Sequence, residues 1–155
     1  PYGTEALSTL RIEMGHGAGS ELDGRTIPYD ASLEGLVSKK KDFIGKRSLN
    51  RSAFTSTDRE KLVGVVPIDK TTSIPEGSYI VKDPKAKLPN PKLGHVSASC
   101  WSVEYDNPFS LAIIKDGKNM IGQKLFAMSP LKNKTIPVEI VSSHYVDPEG
   151  KRVRS

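Results

Sequence analysis

The carboxylate of Glu13 occupies a position in this sequence where it needs a chemical partner. The stretch from Ala6 to Gly15 predicts a short helix that ends at a glycine. At about 100° per residue, four apolar side chains share one face of this helix: Ala6, Leu7, Leu10 and Met14. Glu13 falls beside Ala6 at the rim of that face, near the negative end of the helix dipole, where a cation is favoured. Because burying an uncompensated carboxylate is costly, we expect N–H groups or a positive charge to face Glu13.

Two kinds of partner would satisfy this carboxylate. The first is an ion pair with Arg11 or with a lysine of the basic cluster described below. The helical wheel places Arg11 on the far rim of the apolar face, which disfavours a direct pairing with Glu13. The second is a ligand that carries N–H groups. Spacing alone favours an ion pair and leaves both interpretations open.

The other reactive side chains form no recognisable catalytic or metal-binding pattern. The sequence has three widely separated histidines: His16, His95 and His144. No Cys/His or His/carboxylate spacing indicates a metal site, so we expect none. Cys100 alternates with Val96 and Ala98 on one face of a predicted strand, and we interpret it as a small core residue rather than a nucleophile. No Walker loop or dinucleotide-binding glycine motif is present.

Six basic residues cluster in the middle of the first half of the chain: Lys39, Lys40, Lys41, Lys46, Arg47 and Arg51. A solvated surface is the favoured interpretation of such a cluster. The alternative is a docking surface for a polyanion, and a basic β-barrel module that binds nucleic acid would fit it. Against nucleic acid, only 6% of the residues are aromatic, and they do not alternate with basic residues on a strand as stacking platforms would.

Composition indicates a globular chain of 155 residues with a modest net charge of +5. The single cysteine excludes an internal disulfide and suits a reducing compartment, so we expect a cytoplasmic location. No apolar run approaches the length of a membrane span, and we expect neither a membrane nor nucleic acid as a partner. The chain begins at Pro1, immediately before a predicted helix, as the middle of a larger polypeptide would.

The elements divide the chain into two parts. Residues 1–57 are helical and irregular, and we expect a helix from Gly45 to Phe54 with Phe43 and Ile44 anchored in a core. Residues 58–155 contain six predicted strands, at 62–66, 77–81, 94–103, 109–114, 124–128 and 136–140. Short strands joined by short turns favour a small antiparallel barrel or sandwich. The predicted fold class is α+β, with a helical and irregular portion followed by a small antiparallel β-barrel of about six strands.

Six stretches in order carry a resemblance to a known family: residues 10–15, 23–28, 41–49, 94–102, 110–115 and 147–150. The ordered set resembles the folate-binding aminomethyltransferase family, which includes the glycine-cleavage T protein and the enzymes that oxidise dimethylglycine and sarcosine. Within it, the likeness is greatest to the C-terminal part of the α subunit of heterotetrameric sarcosine oxidase. The resemblance implies that 1–57 is the incomplete C-terminal part of the folate-binding domain. It also implies that 58–155 is the family's C-terminal β-barrel domain.

The resemblance implies residue roles as well. The family's Leu-Arg-x-Glu motif holds the pterin ring through its glutamate, which maps onto Glu13. A carboxylate can accept the two parallel N–H donors of a pterin as it accepts arginine. Lys40 and Lys41 are the nearest match to a basic folate contact that precedes an Asp-Phe pair. The family's catalytic aspartate has no counterpart in these residues, so no catalytic residue and no turnover by this piece alone are expected.

The resemblance also implies a parent enzyme that demethylates sarcosine oxidatively to glycine and passes the one-carbon unit to tetrahydrofolate as 5,10-methylenetetrahydrofolate. Its other cofactors would be FAD, FMN and NAD, none of them bound by these residues, and its partners the β, γ and δ subunits. A fragment of a glycine-cleavage T protein or of a dimethylglycine-type demethylase is the alternative within the family.

Overall fold

The computed structural model describes residues 1–86, 89 and 91–154, apart from the side chain of Val153. Six strands form within these residues: β1 (Glu60–Pro67), β2 (Tyr79–Val81), β3 (Gly94–Ser102), β4 (Asn107–Lys115), β5 (Lys124–Ser129) and β6 (Lys134–Val141). Four helices accompany them: α1 (Thr4–Glu13), α2 (Lys46–Leu49), α3 (Ser52–Thr55) and α4 (Lys151–Arg154). None of these helices, in the described part of the chain, is long and apolar enough to cross a bilayer.

The six strands close into an antiparallel barrel in the order β1-β4-β3-β2-β5-β6. β1 joins the two halves of the barrel, because it pairs with β4 on one side and with β6 on the other. Closure gives each of these described strands two neighbours, which explains how such short strands can form a stable unit. The predicted small antiparallel β-barrel with few helices is therefore confirmed.

Two apolar clusters lie on opposite faces of the barrel wall. The outer cluster consists of Ile12, Leu62, Ala98, Phe109 and Leu111, and it is where α1 packs against the barrel. Successive residues of a strand point to opposite faces, so β1, β3 and β4 supply buried side chains to both clusters. The inner cluster fills the barrel with buried side chains from all six strands, among them Val63, Ile80, Val96, Ala112, Ala127 and Val138.

A β-bulge in β3 decides which of its side chains face outward. Val96 stands opposite Ala112, but Ala98 stands opposite Leu111, so Ser97 is the extra residue. The bulge reverses the alternation of the strand from that point. Val96 therefore lies in the inner cluster, whereas Ala98 and Cys100 pack on the outer face. The prediction that Val96, Ala98 and Cys100 share one face is wrong for this reason.

The helix predicted at 6–15 is present as α1, but its buried face differs from the predicted one. Leu7 and Leu10 are about half exposed, while Ile12 and Glu13 are buried against the barrel. The apolar arc of α1 is therefore not the face that contacts the barrel. Glu13, expected at the rim of the buried face, lies within it.

The predicted helix from Gly45 to Phe54 is interrupted. Arg51 adopts an extended conformation, which separates α2 from α3. Phe43 is 37% exposed and Ile44 is fully exposed, so the expected anchoring of both side chains in a core is wrong for this chain.

Candidate functional site

The site is built on the C-terminal end of α1. Gly15 has a positive φ of 71°, and its N–H donates to the carbonyl of Ile12 while the N–H of His16 donates to that of Arg11. This pair of bonds is the Schellman arrangement that closes many helices, and it confirms Gly15 as the end of the predicted helix. A side chain at Gly15 would also collide with the backbone of Ser143, since a Cβ atom there would lie 2.5 Å from the Ser143 carbonyl oxygen.

The segment that follows β6 ties this helix end to the barrel. The backbone carbonyl of Glu13 accepts hydrogen bonds from the N–H groups of Tyr145 and Val146, at 3.1 and 3.0 Å. Ile12, immediately before it, fills the outer cluster and is 2% exposed. The backbone and the preceding side chain thus fix the position of Glu13 independently of its own carboxylate.

The Glu13 side chain is directed toward the end of β3. Glu13 is 5% exposed, and its Oε1 accepts a hydrogen bond of 2.6 Å from the hydroxyl of Ser102. Across the described residues, 1–86, 89 and 91–154, no cation pairs with Glu13, and no donor binds its Oε2. A buried carboxylate with a single neutral donor retains unused hydrogen-bonding capacity.

The ion pair considered for Glu13 is not formed. Arg11 pairs instead with Glu21, with 3.1 Å between Nη1 and Oε2. Lys46, from the basic cluster, donates to the backbone carbonyls of Lys39 and Lys41. The interpretation of Glu13 as half of an ion pair with Arg11 or a clustered lysine is therefore wrong within the described chain.

Cys100 lies close enough to Glu13 to respond to its charge. Burial, with a smaller contribution from the negative charge of Glu13, raises the pKa of the Cys100 thiol to about 11. A thiol with this pKa stays protonated near neutral pH and is a poor nucleophile. The half-buried Cys100 packs against the outer cluster, in agreement with its interpretation as a packing residue rather than a nucleophile.

An aromatic stack lies beside the anchored helix end. The ring of Tyr145 is stacked on Phe109 with 4.2 Å between centroids, and Tyr105 meets Tyr145 edge-on at 4.7 Å. Asn107 donates from Nδ2 to the Tyr145 hydroxyl at 3.1 Å. The N–H of Tyr145 also donates to the backbone carbonyl of Glu13. This hydrogen bond connects the aromatic stack to the backbone of Glu13.

Lys40 and Lys41, the other predicted folate contacts, lie in a different place. Both are exposed and line a cavity of about 900 Å³ together with Phe43 and Lys46. Glu13 is not among the residues that line this cavity. The structure therefore brings the two lysines together but does not place them with Glu13 around one cavity.

Comparison with known families identifies the barrel. The family model described as the glycine cleavage T-protein C-terminal barrel domain matches residues 60–147. The chain belongs to this family. The match covers all six strands, from β1 through β6, and the segment that binds the Glu13 carbonyl.

Relatives of this glycine cleavage T-protein barrel extend the match to α1. The sarcosine oxidase subunit alpha of Rhizobium meliloti is 37% identical in an alignment of 155 residues that covers 99% of this chain and 16% of that protein. The aminomethyltransferase of a Synechococcus strain is 30% identical in an alignment of 145 residues that covers 91% of this chain and 37% of that protein. The chain thus spans about a sixth of the first relative and about a third of the second.

A solved structure supports the fold. The crystal structure of glycine cleavage system aminomethyltransferase T from Bartonella henselae matches with a TM-score of 0.72 and 22% identity. The match covers 92% of this chain and 38% of that one, so the likeness includes residues before the barrel.

Sequence reasoning identified Glu13 but missed the residues that hold it. Ser102 and Tyr145 both contact Glu13, and neither was predicted to do so. Predicting the contact with Ser102 would have required knowledge of the β-bulge at Ser97. The sequence of 94–102 does not reveal this bulge, because its residues alternate regularly on both sides of Ser97. Among the described residues, no group of three or more His, Cys, Asp or Glu is placed to hold a metal ion.

Proposed function

We propose that this chain is the C-terminal tetrahydrofolate-binding portion of an enzyme that oxidatively demethylates sarcosine to glycine, with Glu13 as the pterin-binding residue and a flavin bound by other parts of that enzyme as the two-electron oxidant. The one-carbon unit released from sarcosine would pass to tetrahydrofolate, giving 5,10-methylenetetrahydrofolate. Lys40 and Lys41 contribute a second, electrostatic contact with folate. The proposed location is the cytoplasm, and no residue of this chain is assigned to FAD, FMN or NAD.

The observation that carries this proposal is the unused capacity of a buried carboxylate. Glu13 is 5% exposed and accepts one hydrogen bond, from a neutral hydroxyl, through Oε1. An ionised carboxylate has about four acceptor positions, so about three remain for a ligand. The 2-amino group and N3–H of a pterin are two parallel donors, and a carboxylate accepts such a pair through both oxygens.

Each residue of the site has a binding or orienting role rather than a reactive one. Glu13 accepts the two pterin donors and thereby fixes the orientation of the ring in its plane. The Tyr145 and Val146 N–H groups hold the backbone of Glu13, so that this part of the chain is already ordered when folate binds. Bound tetrahydrofolate supplies a nucleophilic nitrogen that accepts the one-carbon unit.

The two lysines fit the anionic end of the same ligand. Lys40 and Lys41 lie at an open cavity of about 900 Å³, and the aromatic ring of Phe43 is part of its wall. The glutamate portion of folate carries carboxylates, which exposed lysines attract through a field that salt screens. We therefore assign the two lysines a supporting role in affinity, smaller than that of Glu13.

The relatives favour sarcosine over the other substrates of the family. The identity of 37% to a sarcosine oxidase subunit alpha extends over 99% of this chain, whereas the 30% identity to an aminomethyltransferase extends over 91%. A protein named as an alpha subunit has partner subunits, and we propose β, γ and δ subunits as partners of the complete protein. A glycine-cleavage T protein or a dimethylglycine-type demethylase is the alternative within the family.

The test measures tetrahydrofolate affinity in the complete natural protein that carries this sequence. We expect Glu13→Gln to weaken binding by about tenfold or more, because one pterin donor then faces an amide NH₂ instead of an acceptor. Oxidation of sarcosine in the absence of folate should continue at nearly the original rate. Isothermal titration calorimetry and a sarcosine oxidation assay give the two quantities.

Glu60→Gln is the control, since Glu60 is an exposed glutamate at the start of β1 and undergoes the same chemical change. Unchanged folate affinity in Glu13→Gln would overturn the role of Glu13. A protein that binds folate through Glu13 but does not oxidise sarcosine would instead favour a T protein as the parent enzyme.

A further inference from the structure

We infer that Ser102 is a positioning residue of the folate site, which holds the Glu13 carboxylate in the correct orientation for its ligand. The inference rests on the proposed function and extends the site from α1 to the barrel. It assigns the barrel an indirect part in binding, because the last residue of β3 sets the orientation of the pterin acceptor.

The hydrogen-bond direction at Ser102 is determined by its neighbours. The backbone N–H of Tyr105 is directed at the Ser102 Oγ at 3.4 Å, so this oxygen acts as an acceptor on that side. A hydroxyl has only one hydrogen to donate, and it is directed at Glu13 Oε1, 2.6 Å away. The distance is in the short range expected when a hydroxyl donates to an ionised carboxylate.

The contact also fixes where the free acceptor positions of Glu13 are. With Oε1 bound to Ser102, the carboxyl group cannot rotate without breaking a buried hydrogen bond. Oε2 keeps both of its lone-pair positions, and Oε1 keeps one. These positions suffice for two parallel donors, so Ser102 prepares the carboxylate without competing with the ligand.

The β-bulge at Ser97 makes this contact possible. After the bulge, Ala98, Cys100 and Ser102 all face α1, whereas an unbroken alternation from Val96 would turn them into the barrel. Ser102 is completely buried, so its hydroxyl has no access to bulk water as an alternative partner. Because buried polar groups are almost always hydrogen-bonded, the Ser102 hydroxyl depends on Glu13 to accept its one hydrogen.

The experiment is a double-mutant cycle on tetrahydrofolate binding in the complete natural protein. We expect Ser102→Ala to weaken binding by about tenfold, because the carboxylate loses a charge-assisted hydrogen bond and its fixed orientation. In a Glu13→Ala background the same substitution should change the affinity by less than about twofold, because the side chain through which Ser102 acts has been removed. Ser102→Cys, which keeps a weak donor of similar shape, should give an intermediate loss.

Ser78→Ala is the matched control, since Ser78 is another buried serine and its hydroxyl donates to the Pro75 carbonyl. Equal losses from Ser102→Ala in the wild-type and Glu13→Ala backgrounds would overturn the inference and indicate a general effect on folding. Full affinity in Ser102→Ala together with weak binding by Glu13→Gln would overturn it while leaving the proposed function intact. Full affinity in both variants would overturn the proposed function, and the inference with it.

Discussion

Among the carboxylates that connect the N-terminal residues to the barrel, Asp30 and Glu13 are satisfied in opposite ways. Asp30 meets the start of β1, where Arg59 and Lys61 both pair with its carboxylate. Its Oδ2 also accepts the N–H of Ile27 at 3.1 Å, and its backbone carbonyl accepts that of Leu62 at 2.7 Å. Glu13 meets the end of β3 with one hydroxyl and no cation from the described residues.

The difference separates a structural contact from the proposed binding site. Burial alone would raise the pKa of Asp30, but hydrogen bonds from Arg59, the Ile27 N–H and Lys61 outweigh it and lower the pKa. The negative charge of Asp30 is therefore fully used inside the protein. Glu13 is held through its backbone carbonyl and through Ile12, so its carboxylate is not needed to attach the helix. Its Oε2 has no partner among the described residues, which is why we propose this carboxylate as the ligand contact.

We expect the stability to fall most when the ion pairs of Asp30 with Arg59 and Lys61 are removed. Asp30→Asn removes the charge that compensates two largely buried cations, and we expect the free energy of unfolding to fall by about 2 kcal/mol. Urea unfolding followed through Trp101, the single tryptophan, measures this change. The control is Asp23→Asn, which removes a pairing with the highly exposed Arg25 and should leave the stability unchanged. Equal stability of Asp30→Asn and the wild type would contradict a structural role for Asp30.

Much of the fold follows from the sequence because the barrel depends on local patterns. Each of the six predicted strands overlaps an observed one, and the glycine that was expected to stop α1 does so. The buried face of α1 did not follow, because the choice between Leu10 and Ile12 is made by the outer cluster of the barrel, which forms only in three dimensions. Amphipathicity predicts the buried face only when the partner surface is itself known.

The sequence predicted which residue the candidate site contains, but not which residues surround it. Glu13 was identified because a charged residue in an apolar setting stands out in a single element. Its contact with Ser102 joins residues that are 89 positions apart, and a one-residue bulge decides whether the two meet. Lys40 and Lys41 were assigned by resemblance, and their placement relative to Glu13 depends on a loop that no periodic pattern fixes.

Acid should reduce the contribution of the Asp30 carboxylate to the free energy of unfolding, and with it the difference between Asp30 and Glu13. A carboxylate whose pKa is lowered by folding contributes stability above its unfolded value, and that contribution is lost as the pH falls through the folded value. Asp30 is such a group, so the stability gap between the wild type and Asp30→Asn should be greatest near pH 7. It should shrink as the pH falls below about 4, the ordinary value for an aspartate.

Urea unfolding of both proteins from neutral to strongly acidic pH tests this expectation. Other carboxylates with lowered pKa values, among them Glu34 and Glu104, are present in both proteins and cancel in the difference. A gap that stays constant over this range would mean that the effect of Asp30→Asn comes from packing rather than from charge.

Glu13→Gln should change the stability least, and the sign of the change in the free energy of unfolding tests whether Glu13 differs from Asp30. Glutamine has nearly the same shape, and its amide oxygen can still accept the Ser102 hydroxyl, while the uncompensated charge is gone. We expect the free energy of unfolding to stay the same or to rise by up to about 1 kcal/mol, in the assay used for Asp30→Asn. A fall in the free energy of unfolding as large as that of Asp30→Asn would mean that Glu13, like Asp30, stabilises the fold. A neutral or stabilising substitution that also weakens folate binding would mean that the charge is kept at a cost to stability, as expected of a residue that serves a ligand rather than the fold.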